Sequence, residues 1–310
     1  HGQMPLSSSL FERSASAPPI PRGVPLVIAL TGFTDAGSAL SRTIEYLRDE
    51  IDPTPVAVFT NDILLDYRAR RPVVAFDQDH LADYRPPRLE LSLGHDALGS
   101  PFLMLAGYEP DFAWEAFASA ILALAEEFAV STVTWVHAIP MPVPHTRPIG
   151  TTVSGTRREL TEAHSVWKPT TQVPATVGHL LEYRFAEGGA AVAGFVLLVP
   201  HYLGDTEYPA SALAALDAIT VATGLVFSGD SLRDENREYL EKVEEQVAGS
   251  EDLSRMVENL EERYDAYMAG STQATPIIHT GDLPSADELA AELERFLANR
   301  PSGDDDRFGA

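Results

Sequence analysis

The chain has 310 residues and 45% hydrophobic content, which is enough apolar material for one large or two ordinary globular domains. Its formal net charge of −24 argues against a nucleic acid or an anionic membrane surface as partner, because so acidic a surface repels phosphate groups. The absence of cysteine excludes disulfides, thiolate nucleophiles and cysteine zinc sites and fits a cytoplasmic protein, and no apolar run reaches the roughly 18 residues of a membrane span.

The first predicted unit is a buried strand, a glycine turn and a helix. Residues 26–30 form an apolar run without polar alternation, which is typical of a strand covered on both faces of a parallel sheet. Gly32 and Gly37 bracket the turn, and Asp35 is placed to cap the helix by accepting a backbone N–H. The helix is indicated by residues spaced three and four apart: Leu40, Thr43, Ile44 and Leu47.

Shorter elements are predicted after this unit. Residues 56–59 are predicted to form a short strand. Residues 61–72 are predicted to be a loop with short extended pieces, because the proline at its end disfavours helix before it. Residues 73–76 and 89–93 are expected to be strands of a hairpin or an edge ribbon.

Three more buried strands are predicted, at residues 102–106, 133–139 and 191–199. Because these runs and the strand at 26–30 are apolar and bounded by turns, we expect all four to lie side by side in one sheet. Alternation of such strands with helices predicts an α/β protein: a three-layer α/β/α sandwich with a mainly parallel sheet.

The connections between these strands differ in character. Asp111 is the predicted N-cap of the helix that follows the strand at 102–106. Residues 140–148 contain too many prolines for regular structure. Helices are expected at residues 173–186 and from Pro209 onward.

The C-terminal part is predicted to be helical. Two helices separated by Gly249 and Ser250 form an αα-hairpin with acidic outer faces, and a final helix is expected at about residues 285–297. The predicted organisation is therefore an N-terminal arm (1–23), an α/β core (24–230), a helical hairpin appendage (231–268), a linker (269–283), and a terminal helix with an acidic tail (284–310).

Few familiar catalytic motifs are present. The turn at Gly32 lacks the Gly-Lys-Ser/Thr end of a phosphate loop and the GxGxxG spacing of a dinucleotide turn, and the chain has no GxSxG elbow. His137, His145 and His201 lie at or near predicted strand ends, but no metal-ligand spacing such as HExxH accompanies them. We therefore expect no metal and no cofactor.

Arginines near acidic loops form the other candidate group. Arg71, Arg147 and Arg157 can grip carboxylates in two-pronged pairs, either as salt bridges that fix loops or as a site for an anionic ligand. Acidic partners for them are expected among Asp35, Asp62, Asp66, Glu109 and Asp111.

Loops at the carboxyl ends of parallel strands gather at one edge of a sheet. We therefore predict one ligand or interface zone formed by Asp35, Arg71, Tyr108, Glu109, His145, Arg147 and His201. The alternative is an ion-pair network that only holds the proline-rich loop.

Six motifs occur in a fixed order over about residues 24–268. They are GFTDAG (32–37), DYRARRP (66–72), GYEPD (107–111), PHTRP (144–148), VPHYL (199–203) and LEERYD (260–265). Together they resemble the proteasome assembly chaperone 2 family, in its bacterial branch. The resemblance implies a fold like that of nucleoside phosphorylases and related hydrolases, an α/β/α sandwich around a mixed sheet, without implying their chemistry.

The resemblance also implies something about partners. Eukaryotic members act as chaperones that bind proteasome α-subunits, and archaeal members form homo-oligomers. Some members carry a C-terminal hydrophobic-Tyr-any tripeptide that docks on proteasome rings. The sequence printed here ends in Phe308-Gly309-Ala310, so docking by that route is not expected. The bacterial branch supplies no catalytic residues that carry over to this chain.

Two functional hypotheses follow. The first is a non-enzymatic, oligomeric interaction protein with an unknown client, for which the resemblance implies a proteasome-related protein. The second is a hydrolase or phosphorylase-like enzyme acting on a small anionic substrate. For the first we expect a homo-oligomer, with a trimer as the guess, joined through residues 138–153 rather than through the acidic hairpin, because that segment holds one arginine and no acid.

Overall fold

The computed structural model describes residues 10–271, and within this range it contains ten strands. They are β1 (Phe11–Arg13), β2 (Leu26–Thr31), β3 (Thr54–Phe59), β4 (Val73–Asp77), β5 (His80–Arg85), β6 (Leu89–His95), β7 (Pro101–Tyr108), β8 (Val133–Met141), β9 (Gly150–Gly155) and β10 (Val192–Pro200).

The same range contains eight α-helices and two short 3₁₀ turns, Ala36–Ser38 and His201–Leu203. The helices are α1 (Ala39–Ile51), α2 (Asn61–Leu64), α3 (Trp114–Glu127), α4 (Arg158–His164), α5 (Val177–Glu187), α6 (Pro209–Thr223), α7 (Asp230–Ala248) and α8 (Glu251–Ser271). None of these helices is both long and apolar enough to cross a lipid bilayer.

Eight strands form one mixed sheet in the order β1-β3-β6-β7-β2-β8-β10-β9. Its four central strands, β7, β2, β8 and β10, are parallel, and the flanking strands pair antiparallel. These are the four apolar runs of the sequence, so the prediction that they lie side by side is confirmed, as is the α/β class.

Helices cover both faces of the sheet. On β2, Val27 and Ala29 belong to the core beneath α1 and α6, whereas Leu26 and Ile28 belong to the core beneath α3 and α5. Because both sets are buried, the strand has no polar alternation, which is the physical reason for its apolar run.

Helices α7 and α8 form the predicted αα-hairpin, which packs against α6. Leu232, Val243, Val257 and Leu260 are buried in the same apolar core as the α1 face of the sheet. The hairpin is therefore held to the core by burial. The helix predicted at residues 285–297 lies outside the described residues.

Two predictions for residues 61–93 were wrong. β4 pairs with β5, a strand that was not predicted, whereas β6 lies inside the main sheet between β3 and β7. β6 is buried along most of its length, so its apolar run belongs to a sheet interior and not to an edge ribbon. Residues 61–64 form the single helical turn α2 instead of loop.

Candidate functional site

The central strands β2 and β8 part before they reach their carboxyl ends. Their ladder joins only Leu26–Ile28 to Val133–Trp135, although each strand goes on pairing with its other neighbour. An isolated bridge between Asp35 and Ala138 closes the gap farther along. The opening, which we call the strand-end pocket, is lined by residues that include Leu30, Thr34, Asp35, Glu109, Trp135 and His137.

Asp35 shapes one wall of the strand-end pocket as a helix cap. Its carboxylate accepts the backbone N–H groups of Leu40 at 2.7 Å and Ser41 at 3.0 Å, so the predicted capping role is confirmed. Gly37 in the same turn has φ +66°, and a Cβ there would lie 2.9 Å from the Ser211 hydroxyl oxygen. The turn therefore needs glycine both for its left-handed backbone and for its close approach to α6.

Glu109 forms the opposite wall. Burial raises the pKa of its carboxyl, while the backbone N–H of Val177, at 3.3 Å, and the charge of Arg70 act in the opposite direction. A Cβ at Gly32 would lie 2.8 Å from the Cβ of Glu109, so the absence of a side chain at Gly32 is what admits the glutamate.

His137 and Trp135 also line the strand-end pocket, and His179 packs against both of them. The rings of His137 and Trp135 both lie within 6 Å of the His179 ring, centre to centre. Burial lowers the pKa of His137 to about 4, with a smaller contribution from His179, whose own pKa burial also lowers. The backbone N–H of Thr176 donates to His179 Nδ1 at 2.9 Å, which fixes that ring as the neutral Nε2–H tautomer. Both imidazoles are therefore uncharged at neutral pH.

The strand-end pocket has a volume of about 10 Å³. That is room for about one water molecule, whereas small-molecule sites typically measure about 300–1,000 Å³. In this conformation the position that α/β enzymes use for their substrates is filled by the chain's own side chains.

Tyr108 lies at the end of β7, next to the segment that contains Arg70 and Arg71. The Arg70 guanidinium stacks 5.3 Å from the Tyr108 ring centre and pairs with the Asp111 carboxylate at 2.6 Å. The other Asp111 oxygen accepts the N–H of Asp66, so Asp111 is not the N-cap of α3 as predicted; Ala113 is. Arg71 is exposed and has no ion pair within residues 10–271.

His145 and Arg147 bind the proline-rich loop to the helical hairpin. The His145 backbone N–H donates to the Tyr202 hydroxyl at 2.6 Å. The His145 ring hydrogen-bonds the same hydroxyl through Nδ1 at 2.5 Å and Glu244 through Nε2 at 2.9 Å. Arg147 makes two bonds of 2.9 Å to Asp265 and one of 3.0 Å to Glu261.

His201 is buried beside Tyr202, with ring centres 5.6 Å apart. The Gly37 N–H donates to the Gly204 carbonyl at 2.7 Å, so the turn of His201 lies next to the turn of Asp35. The residues predicted as one zone therefore lie in three places. Asp35 and Glu109 line the strand-end pocket, with His201 in the neighbouring turn. Tyr108 and Arg71 lie near the start of β4, and His145 and Arg147 contact the hairpin.

The ion-pair partners of the arginines also depart from expectation. The partners of Arg147 come from α8 and that of Arg157 is Glu159, whereas the predicted acids were all N-terminal to residue 112. Most of residues 138–153, which are expected to join subunits, are partly buried in their own chain; Thr146 and Pro148 are exposed, and the subunit contact stays a prediction. Met141 in particular is 6% exposed.

Sequence reasoning missed His179 and Arg70. His179 lies two residues into a helix that was predicted to begin four residues too early, so it carried no positional signal. Arg70 and Arg71 are adjacent, and only the structure shows which of them faces Asp111. Across residues 10–271, no three His, Asp or Glu side chains are grouped so as to hold a metal ion.

Comparison with known proteins places this fold. The chain is similar to the Mycobacterium tuberculosis protein of unknown function Rv2714, at 39% identity and a TM-score of 0.80 over 88% of this chain and 92% of that one. It is also similar to a protein of unknown function from Corynebacterium glutamicum, at 33% identity and a TM-score of 0.81 over 84% and 98% of the two chains.

A more distant likeness is to the M. tuberculosis proteasome-assembly chaperone homologue Rv2125, at 21% identity and a TM-score of 0.68 over 75% and 99% of the two chains. No curated protein matches the sequence. The model of the PAC2 family matches residues 29–247, which is more than half of the chain. The chain therefore belongs to the PAC2 family.

Proposed function

We propose that this protein is a non-enzymatic, self-associating interaction protein that assists a proteasome-related partner. One observation carries the proposal: the strand-end pocket, where this class of fold would hold a substrate, measures about 10 Å³. Large apolar side chains are exposed instead, among them Phe33 and Phe112 in the turns after β2 and β7. These two turns adjoin at Gly32 and Glu109, and neighbouring exposed apolar side chains favour a protein partner.

The choice of partner comes from the relatives. Among similar structures are the M. tuberculosis proteasome-assembly chaperone homologue and a Pyrococcus furiosus archaeal proteasome activator. Their identities to this chain, 21% and 14%, support a common fold, and the partner is our inference from it.

The second candidate is a hydrolase or phosphorylase-like enzyme acting on a small anion. The raised pKa of Glu109 and the neutral His137 in one pocket favour it, because such groups suit acid–base chemistry. Two observations count against it. The carboxylates of Asp35 and Glu109 line the strand-end pocket without an Arg or Lys among its described lining residues, so an anion finds no counter-charge there.

A larger cleft, of about 390 Å³, lies between the proline-rich loop and helices α6 and α7. Arg147 is the cation among its described lining residues, and that guanidinium is already bonded to Glu261 and Asp265. A small anion would have to compete with both carboxylates, so this cleft does not favour the enzyme either.

Affinity capture from a native lysate of the source organism, read by mass spectrometry, tests the proposal. The full chain serves as bait, and an unrelated protein of similar pI is the control that removes charge-driven binding. We expect a proteasome-related protein to be enriched in near-stoichiometric amount. Enrichment of nothing beyond the control would contradict the proposed function.

A further inference from the structure

We propose that the larger cleft, between the proline-rich loop and helices α6 and α7, binds a small amine that carries its ammonium group on an apolar body. We call this opening the helix cleft. Its volume of about 390 Å³ lies within the range of small-molecule sites, which typically measure about 300–1,000 Å³. The inference goes beyond the proposed function, because it assigns a ligand and does not depend on any protein partner.

Helix α6 leaves room for the helix cleft because it presents small residues there. Ala210, Ala214 and Ala218 recur every four residues, so they share one helix face, and all three line the cleft. On the other side of the helix, Leu216 and Ile219 are buried in the apolar core. The helix is therefore apolar on both sides, but only one of these sides is filled by the core.

The remaining walls supply apolar surface for the body of a ligand. Ile149 comes from the proline-rich loop, Phe195 from β10, Leu213 from α6 and Leu240 from α7. Small-molecule sites are ordinarily lined by apolar side chains, with a few polar groups that set the orientation of the ligand. These walls match that composition, so we assign the apolar part of the ligand to them.

One carboxylate provides the charge for recognition. Asp217 is the single charged residue of α6, lines the helix cleft, and has no hydrogen bond or ion pair with a described residue. Arg233 is its electrostatic neighbour, and that guanidinium is already paired with Asp230. Asp217 is exposed as a residue, yet the surrounding walls desolvate its carboxyl enough to raise the pKa, against the charge of Arg233. A cation beside this carboxylate would offset that desolvation.

Two further polar groups in the helix cleft are uncommitted. Tyr208 is 3% exposed, and its hydroxyl makes no hydrogen bond to a described residue. Asn236 lines the cleft from α7, and its side-chain oxygen is buried without a hydrogen-bond partner in residues 10–271. Buried polar groups in folded proteins are normally hydrogen-bonded, so this cleft lacks a donor. An ammonium group brings three donors and no acceptor.

The charges around the helix cleft favour an amine over an anion. Arg147 is the cation among the described lining residues, and Glu261 and Asp265 both hold its guanidinium, so these three side chains together carry one negative charge. The carboxylate of Asp217 adds another, and the whole chain has a formal net charge of −24. Such a field concentrates small cations and repels anions.

Ligand-observed NMR titration of the full chain with 2-phenylethylamine provides the first test. We expect a dissociation constant of about 1 mM or tighter, which is the affinity to expect of so small a ligand. The neutral analogue 2-phenylethanol should bind at least tenfold more weakly, because it has the same shape without the charge. Equal binding of the amine and the alcohol, or no binding of the amine at concentrations well above 1 mM, would overturn the proposal.

A pair of charge variants separates the helix cleft from the general acidity of the protein. Asp217→Asn should weaken binding of 2-phenylethylamine at least tenfold. Asp252→Asn is the matched control, because it removes the same charge from an exposed position at the start of α8, and it should bind the amine as the parent does. Equal affinities in the two variants would show that the amine responds only to overall charge, and the proposal would be wrong.

A filled cleft provides a test that keeps the carboxylate. Ala214→Phe occupies the space beside Asp217 and should abolish amine binding, whereas Ala266→Phe, at an exposed position of α8, should not affect it. Amine binding by Ala214→Phe at the parent's affinity would place the ligand elsewhere and overturn the proposal. Circular dichroism confirms that both variants keep the parent's fold. Since no partner protein enters these titrations, their failure and the failure of the proposed function are distinguishable.

Discussion

Replacing His137 by glutamine should make the protein less sensitive to acid. His137 has no hydrogen bond among the described residues, and burial lowers its pKa from 6.5 to about 4. The unfolded chain therefore binds this proton at a higher pH than the folded chain does. Its neutral form contributes fully to stability above pH 6.5, and that contribution is lost as the pH falls toward 4.

The magnitude follows from the two pKa values. At about 1.4 kcal/mol for each pKa unit, the whole difference corresponds to about 3 kcal/mol of unfolding free energy, of which about 2 kcal/mol falls between pH 7 and pH 5. His179 acts in the same direction and remains in the variant, so the variant should lose only the share of His137.

Urea unfolding at pH 7 and pH 5 measures this difference. Between these pH values the parent should lose about 2 kcal/mol more unfolding free energy than His137→Gln does. His95→Gln is the matched control, because solvent surrounds that ring, and its pH dependence should follow that of the parent. Equal pH dependence in the parent and His137→Gln would refute the reasoning. It would mean that His137 is hydrated or paired with a carboxylate, as an acid–base dyad with Glu109 requires.

Three further substitutions follow from the geometry. Asp35→Ala removes two backbone hydrogen bonds at the start of α1 and should cost about 1–2 kcal/mol by urea unfolding; Asp35→Asn should cost less, and equal losses would contradict the capping role. Gly178→Ala places a Cβ 2.3 Å from the Trp135 ring and should cost about 1–3 kcal/mol, with a Tm unchanged from the parent as the contrary result. Arg147→Ala releases Asp265, whose pKa the Arg147 hydrogen bond lowers, so amide hydrogens of α8 should exchange faster at pH 7 than in the parent. The difference between variant and parent should shrink as acid protonates Asp265. Unchanged exchange would show that the loop does not hold the hairpin.

The elements that could be predicted are those whose burial is visible in the pattern of neighbouring residues. The four central strands are buried on both faces, and that condition leaves an uninterrupted apolar run. The capping by Asp35 was predictable for a similar reason, because donor and acceptor lie within six residues of each other.

The remainder depends on contacts between distant segments. Nothing near Arg147 in the sequence indicates Asp265, and nothing near Trp135 indicates that α5 would lay Gly178 on its ring. Strand β4 was predicted, but its partner β5 was missed because polar and charged residues interrupt the short apolar pattern of β5. The three places into which the predicted zone divides are likewise set by which segments pack together.

The most direct test of our central claim is capture by a variant whose strand-end pocket is neutralised. Glu109→Gln with His137→Gln removes the two groups on which any acid–base chemistry in that pocket would depend. If the protein acts by binding, the variant should enrich the same partner from a native lysate, in the same amount, as the parent does. Loss of that partner by a variant that keeps the parent's fold and oligomeric mass would contradict the claim. It would show that the function depends on Glu109 and His137 in the strand-end pocket.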